Sequence, residues 1–259
     1  MNELVATLYT PHLVTARNRF ETGAAGVMLD EDFDPVLFEL FLLNYCSRGV
    51  RMTEPVESWI ERAGKRCRDV GMEKLGVALQ KHAQAEADHH LMMIADTQSL
   101  VKRWNASQPK PLEAEALLAV PPSPAVDAYV ALHEDVIRGS EPYCQLAIEF
   151  EIERISVTWG PPFMSQCARL LGPGSNETLS FLTEHVEVDQ GHTKFNELQL
   201  ERLLASDRSL APALARTGAA ALDIYGNFLA ECLGFAKSMR GALPDPKARG
   251  EQSAQMAQV

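Results

Sequence analysis

The chain has 259 residues, 46% of them apolar, with a formal net charge of −11 and a pI near 5.1. That length suits one domain around one sizeable core, and no shift in composition divides it. The acidic balance argues against nucleic acid or an anionic membrane surface as partner, and no apolar run approaches the ~18 residues of a bilayer span.

Met1 to Thr10 lacks a basic stretch followed by an apolar one and a small-residue cleavage site, so the cytoplasm is the expected location. Helical periodicity runs through the chain and alternating β-branched runs are nearly absent, which predicts an all-α fold. Asp34-Pro35 supplies an N-cap and a first-turn proline, opening an apolar helix through Phe38, Phe41 and Leu42 towards Arg51. A second helix follows Glu54-Pro55. A long third one is expected from about Met72 to Trp104.

Prolines at 109, 111, 121, 122 and 124 exclude a continuous helix between Asn105 and Pro124 and predict a surface connection. Ser123-Pro124 opens a helix ending at Gly139, and Glu141-Pro142 opens the next, ending at Trp159-Gly160-Pro161-Pro162. After a turn at Gly172-Pro173-Gly174, helices are expected from Asn176 to about Ala205 and from Leu210 to Met239. Seven such helices make a bundle over residues 1–242, with 243–259 read as a disordered tail. The five cysteines, at 46, 67, 144, 167 and 232, are odd in number, scattered and without a C-x-x-C pair; they read as reduced core residues.

One pattern occurs twice: His82-x-x-x-Glu86-x-x-His89 on the third expected helix and His185-x-x-x-Asp189-x-x-His192 on the sixth. At helical offsets of four and seven, the three side chains of each copy share a face about 60° wide. Imidazole, carboxylate and imidazole can then meet at one point, among apolar residues such as Leu79, Met92, Phe181 and Leu182. Buried carboxylates are costly without a cation, so the two copies predict a metal site.

Two metals need a completing carboxylate, and Ala147-Ile148-Glu149-Phe150-Glu151-Ile152-Glu153 offers three. Glu149 and Glu153 share a face, whereas Glu151 points the other way. Glu149, preceded by three apolar residues, is the choice; Glu153 has the alternative of pairing with Arg154 on a solvated face. The candidate catalytic and metal-binding set is therefore Glu86, His89, Glu149, His185, Asp189 and His192. His82 and Glu153 are further candidates, His82 rather as a hydrogen-bond partner that orients a ligand. His90 lies about 100° round the helix from His89 and is peripheral, Lys194 and Arg154 point away, and Gly191 could make room for a substrate or a helix. Such borderline-hard donors suit iron or manganese, and two divalent ions against three carboxylates leave open positions. Zinc hydrolysis is the competing chemistry, but such sites usually keep a separate general base.

Taken together, Leu79-x-x-His82-x-x-x-Glu86-x-x-His89 followed by Asp96, then Glu149, then His185-x-x-x-Asp189-x-x-His192, resembles the haem-oxygenase-like diiron oxidases, which share the helical fold of haem oxygenase and thiaminase II. The resemblance covers roughly residues 35 to 240. It implies a seven-helix bundle without haem and two Fe(II) ions at those six positions, the second of them labile. With dioxygen as co-substrate, a small amino-acid-derived molecule would be oxidised in biosynthesis, by N-oxygenation or by oxidative C–C cleavage or decarboxylation. The external electron donor and a homodimer are left open. Two alternatives keep the helices: a ferritin-like iron oxidase or storage protein with Glu39 as an extra ligand, and a metal-independent enzyme. The latter would be a cofactorless oxidase or a thiaminase-like hydrolase, for which a cysteine nucleophile is expected.

Overall fold

Pro35 and Pro124, each preceded by an extended residue, set two of the helix starts, because their fixed φ suits the first turn and their missing N–H is not needed there. A computed structural model describes residues 2–172 and 174–243, so the expected tail lies, from residue 244 on, outside the described residues. Helices joined by turns fill the described residues, with no strand among them. Among the described residues, ten helices have eleven residues or more. They are α1 (Thr10–Thr22), α2 (Pro35–Thr53), α3 (Val56–Asp69), α4 (Glu73–Ala83), α5 (His89–Ser107), α6 (Pro124–Arg138), α7 (Gln145–Thr158), α8 (Gly160–Leu171), α9 (Ser180–Ser206) and α10 (Ala211–Gly241).

The centre of the bundle is α2. Asp34 Oδ1 accepts the backbone N–H groups of Val36 and Leu37 at 2.7 and 3.1 Å, and every residue from Phe38 to Ser47 is buried. A helix buried and largely apolar on all sides belongs inside, and α5 and α10 cover it. Phe38 and Phe41 pack on Phe163 of α8, which in turn stacks on Trp159.

The count exceeds seven for three reasons. Residues before Asp34, which carry no expected helix, form α1, extended at its start by a π-helical stretch over Val5–Tyr9. Glu201 of α9 accepts the Leu4 and Val5 N–H groups there at 3.0–3.1 Å. Pro161 and Pro162 do more than end α7, since they sit in the first turn of α8. Finally, the expected helix from Met72 to Trp104 is broken. Gln84–Glu86 form a 3-10 turn, Ala87 is extended (φ −62°, ψ 135°), and Asp88 is left-handed (φ 64°, ψ 6°).

Asp88 is the only non-glycine with positive φ among the described residues. Aspartate tolerates that region better than most side chains, yet the conformation is sparsely populated and persists only where its surroundings impose it. The break falls inside the first candidate metal-binding pattern.

Candidate metal centre

The second pattern lies on an unbroken helix. Asp96 of α5 holds the start of α9, accepting the N–H groups of Ser180 and Phe181 at 2.9 Å and the Ser180 hydroxyl at 2.7 Å. From there His185, Asp189 and His192 follow at the helical spacing, and Asn196 extends the same face by one more turn. The Phe181 carbonyl lies 2.7 Å from His185 Nδ1 and can only accept. His185 therefore carries its proton on Nδ1 and turns the Nε2 lone pair inward.

The first pattern reaches the same place by another route. His82 ends α4, Glu86 sits in the 3-10 turn, and His89 opens α5 beyond the left-handed Asp88. A common helical face is thus not what gathers these three residues; the reversal of the backbone between Glu86 and His89 is. Glu86 Oε1 lies 3.1 Å from His192 Nδ1 and 3.9 Å from His82 Nε2, while Glu86 Oε2 lies 3.2 Å from His89 Nδ1. His89 Nδ1 is also 3.2 Å from His185 Nε2.

Two groups of possible ligand atoms result, each within 4.8 Å of one another: His82, Glu86, Glu153 and His192, and Glu86, His89 and His185. Glu86 belongs to both. Asp189 stands beside them, Oδ1 at 3.3 Å from His192 Nδ1. His82 Nε2 and Glu153 Oε1 are 2.8 Å apart. Donors about 2.1 Å from one ion and at right angles to each other stand about 3 Å apart, which is the spacing seen here. Moreover His82 Nε2, Glu86 Oε1, Glu153 Oε1, His192 Nδ1 and both Asp189 oxygens are buried without meeting hydrogen-bond geometry to any partner. Short contacts at the wrong angle for hydrogen bonds are what lone pairs converging on a cation produce. The donor set, four imidazoles and three carboxylates, fits a pair of first-row divalent ions.

The carboxylate that α7 contributes is Glu153, with Asn196 Nδ2 donating to its second oxygen at 2.6 Å. Glu149, one turn earlier, belongs to neither group, and Gln145 Nε2 donates to its Oε1 at 2.5 Å. Glu151 points the opposite way, as its place in the turn requires, and is buried in a two-point ion pair with Arg17 of α1, at 2.6 and 3.0 Å. Glu39 is paired with Arg103 at 3.1 Å and belongs to neither group. Lys194 is exposed. Gly191 is exposed too, and a Cβ there would meet nothing, so it makes room for neither a substrate nor a helix. Asn196 went unnoticed in the sequence, although its offset of four from His192 continues the face.

Burial opposes the charge of Glu86, but His192 and His89 overcome it and hold the carboxyl well below its ordinary range. Asp189 and Glu86 push His192 up to about 10, and Glu86 raises His89. Burial lowers His82 and His185 and raises Glu153.

A cavity of about 100 Å³ opens beside the groups, several times the ~10–15 Å³ that one water needs. Glu86, His89, Glu153, His185 and Asp189 line one wall, whereas His82 and His192 stand behind it. The rest of the lining is largely apolar and aromatic, with Tyr45, Met93, Tyr129, Trp159, Tyr225 and Phe228. No cysteine lines the cavity. All five cysteines are free and buried, and burial pushes each thiol above its ordinary value.

Behind Glu149, Gln145 Nε2 also donates to His133 Nδ1 at 2.7 Å, and the His133 ring stacks on Trp59 at 4.0 Å. Burial drives His133 down to about 3. In the unfolded chain it titrates near 6.5, so between about 6.5 and 3 the unfolded state holds the extra proton, and stability falls as pH falls. Glu149, raised by burial to about 8, contributes with the opposite sign from about 4.3 upward. Comparison with His133→Gln isolates the histidine. The wild type is expected to lose stability relative to that variant between about pH 7 and 5, read from urea midpoints; a gap that does not change with pH would show that His133 is not held neutral.

No protein-family profile matches the chain, and no curated protein matches it. Solved structures do, two of them as follows. A domain of unknown function with a haem oxygenase-like fold from Shewanella denitrificans OS217 superposes with a TM-score of 0.72 at 15% identity, over 89% of this chain and 92% of that one. A TenA homologue from Pseudomonas syringae pv. tomato str. DC3000 gives a TM-score of 0.61 at 15% identity, over 89% of this chain and 91% of that one. The fold is thus all-helical and haem-oxygenase-like. At that identity the likeness says nothing of the chemistry, which has to be argued from the side chains.

Proposed function

We propose that the protein is a non-haem diiron oxidase that uses dioxygen to oxidise a small amino-acid-derived substrate, by N-oxygenation or by oxidative C–C cleavage or decarboxylation. One observation carries the reading: two groups of imidazole and carboxylate donors share Glu86 at the wall of an apolar cavity. Ferrous ions bound there supply the electrons that dioxygen chemistry requires.

The side chains divide the remaining work. His82, Glu86, Glu153 and His192 would hold one ion behind the cavity wall, with Asn196 fixing Glu153 through its second oxygen. Glu86, His89 and His185, with Asp189 beside them, would hold the ion that faces the cavity. The Phe181 carbonyl keeps the His185 ring in the tautomer that can bind metal. Apolar rings in the cavity lining exclude water, which favours a reactive oxidant over its loss to solvent.

Two other readings find less support. A thiaminase-like hydrolase is compatible with the fold, but the cavity offers no thiol. A ferritin-like site would draw on Glu39, which Arg103 engages.

Anaerobic titration with Fe(II) tests the proposal. Two ions per chain and oxygen uptake that accelerates with a subset of small amines or amino acids are expected. A chain that binds no iron, or that turns over equally well after chelation, would falsify it.

A further inference from the structure

Among the described residues, four buried carboxylates stand outside the two donor groups and away from His192: Glu39, Asp96, Glu149 and Glu151. Three are answered by the protein. Arg103 faces Glu39, Arg17 grips Glu151, and Asp96 accepts three hydrogen bonds at the start of α9. Glu149 is the exception. It is 6% exposed and lines the cavity, and the hydrogen bond it accepts comes from the neutral amide of Gln145, itself anchored on neutral His133. His82, whose charge would act on it, faces Glu153 at 2.8 Å.

Among the described residues no lysine or arginine lines the cavity. A carboxylate buried against apolar rings without a counter-ion costs several kcal/mol, and a cavity wall is where a ligand can supply what the protein withholds. The rings beside it suit the same ligand. Tyr129, Tyr45, Tyr225 and Phe228 line the space, and aromatic faces attract organic cations. The Tyr129 hydroxyl, raised first by burial, feels the Glu149 charge next.

We propose that Glu149 is the counter-ion for a cationic nitrogen of the cavity's ligand, so that the protein takes a primary amine or a guanidinium compound. This deepens the diiron reading by naming a substrate class for the same cavity. An anionic group on such a ligand finds no lysine or arginine there among the described residues and has only the imidazoles of the metal-facing side to turn to.

Calorimetric titration with n-butylamine, n-butanol and butyrate tests this on the full chain, with and without Co(II). Butylamine is expected to bind on the order of tenfold tighter than butanol, the size of a charge-assisted hydrogen bond, with butyrate weakest in the absence of metal. Glu149→Gln should abolish the preference while leaving Co(II) stoichiometry and helical content unchanged, and Glu149→Asp should retain part of it. An amine preference that survives in Glu149→Gln, or a preference for butyrate without metal, overturns the inference. So does loss of Co(II) from Glu149→Gln, which would make Glu149 a ligand and leave the diiron reading standing. Conversely, a wild type that binds no Co(II) yet prefers butylamine through Glu149 would sink the diiron reading and keep this one.

Discussion

Glu86→Ala should remove both metals at once, taking Fe(II) stoichiometry from two per chain to near zero and oxygen uptake with it. The carboxylate stands 3.1 Å from His192 and 3.2 Å from His89, and it is the one residue common to both donor groups. His82→Ala should behave differently. It strips a donor from the group behind the cavity wall and leaves Glu86, His89 and His185 in place, so about one ion should remain. Asn196→Ala, which touches only the far oxygen of Glu153, should weaken that ion by about 10–100-fold without abolishing it, as loss of a supporting hydrogen bond usually does. Metal analysis after gel filtration distinguishes the three. Retention of two ions in Glu86→Ala would mean that the carboxylate is not shared.

Arg17→Ala should give the largest loss of stability. Glu151 is completely buried and is held by Arg17 through two bonds, so removing the guanidinium takes away its two-point charged partner in a place that solvent does not reach. Breaking a buried pair on one side typically costs about 3–5 kcal/mol. For a chain of this size that corresponds to a drop in melting temperature on the order of 10 °C. The double change Arg17→Met with Glu151→Leu removes both charges and should recover most of it, since apolar replacement of a whole buried pair is often neutral. Calorimetry of the three proteins decides the matter; an Arg17→Ala variant within about 1 kcal/mol of wild type would show that solvent reaches Glu151.

How far such features can be read from sequence depends on whether they are local. α9 is readable because its donors repeat at helical spacing and nothing inside it breaks a helix except the exposed Gly191. The start of α2 is readable because Asp34-Pro35 states it within two residues. Pro11 marks no such start, because the π-helical stretch over Val5–Tyr9 runs directly into α1. The break at 84–88 has almost no local signature. Gln84-Ala85-Glu86-Ala87-Asp88 lacks glycine and proline and favours helix by propensity, so only the tertiary demand for convergence bends it, with Asp88 as the lone tolerant residue. The choice between Glu149 and Glu153 is likewise long-range. They share a face one turn apart, and Asn196 of α9 on one side and Gln145 on the other separate their roles.

The left-handed residue between Glu86 and His89 also bears on how such sequences can drift. A residue gained or lost in α9 would swing every later donor by about 100° and scatter the site, so that copy of the pattern is rigid in length. Between positions 84 and 88 no helical register is at stake, and an insertion there only reshapes a bend. Sister sequences should then keep His185-x-x-x-Asp189-x-x-His192 to the residue while the spacing of the earlier half wanders, and a search for them should hold the first and let the second float.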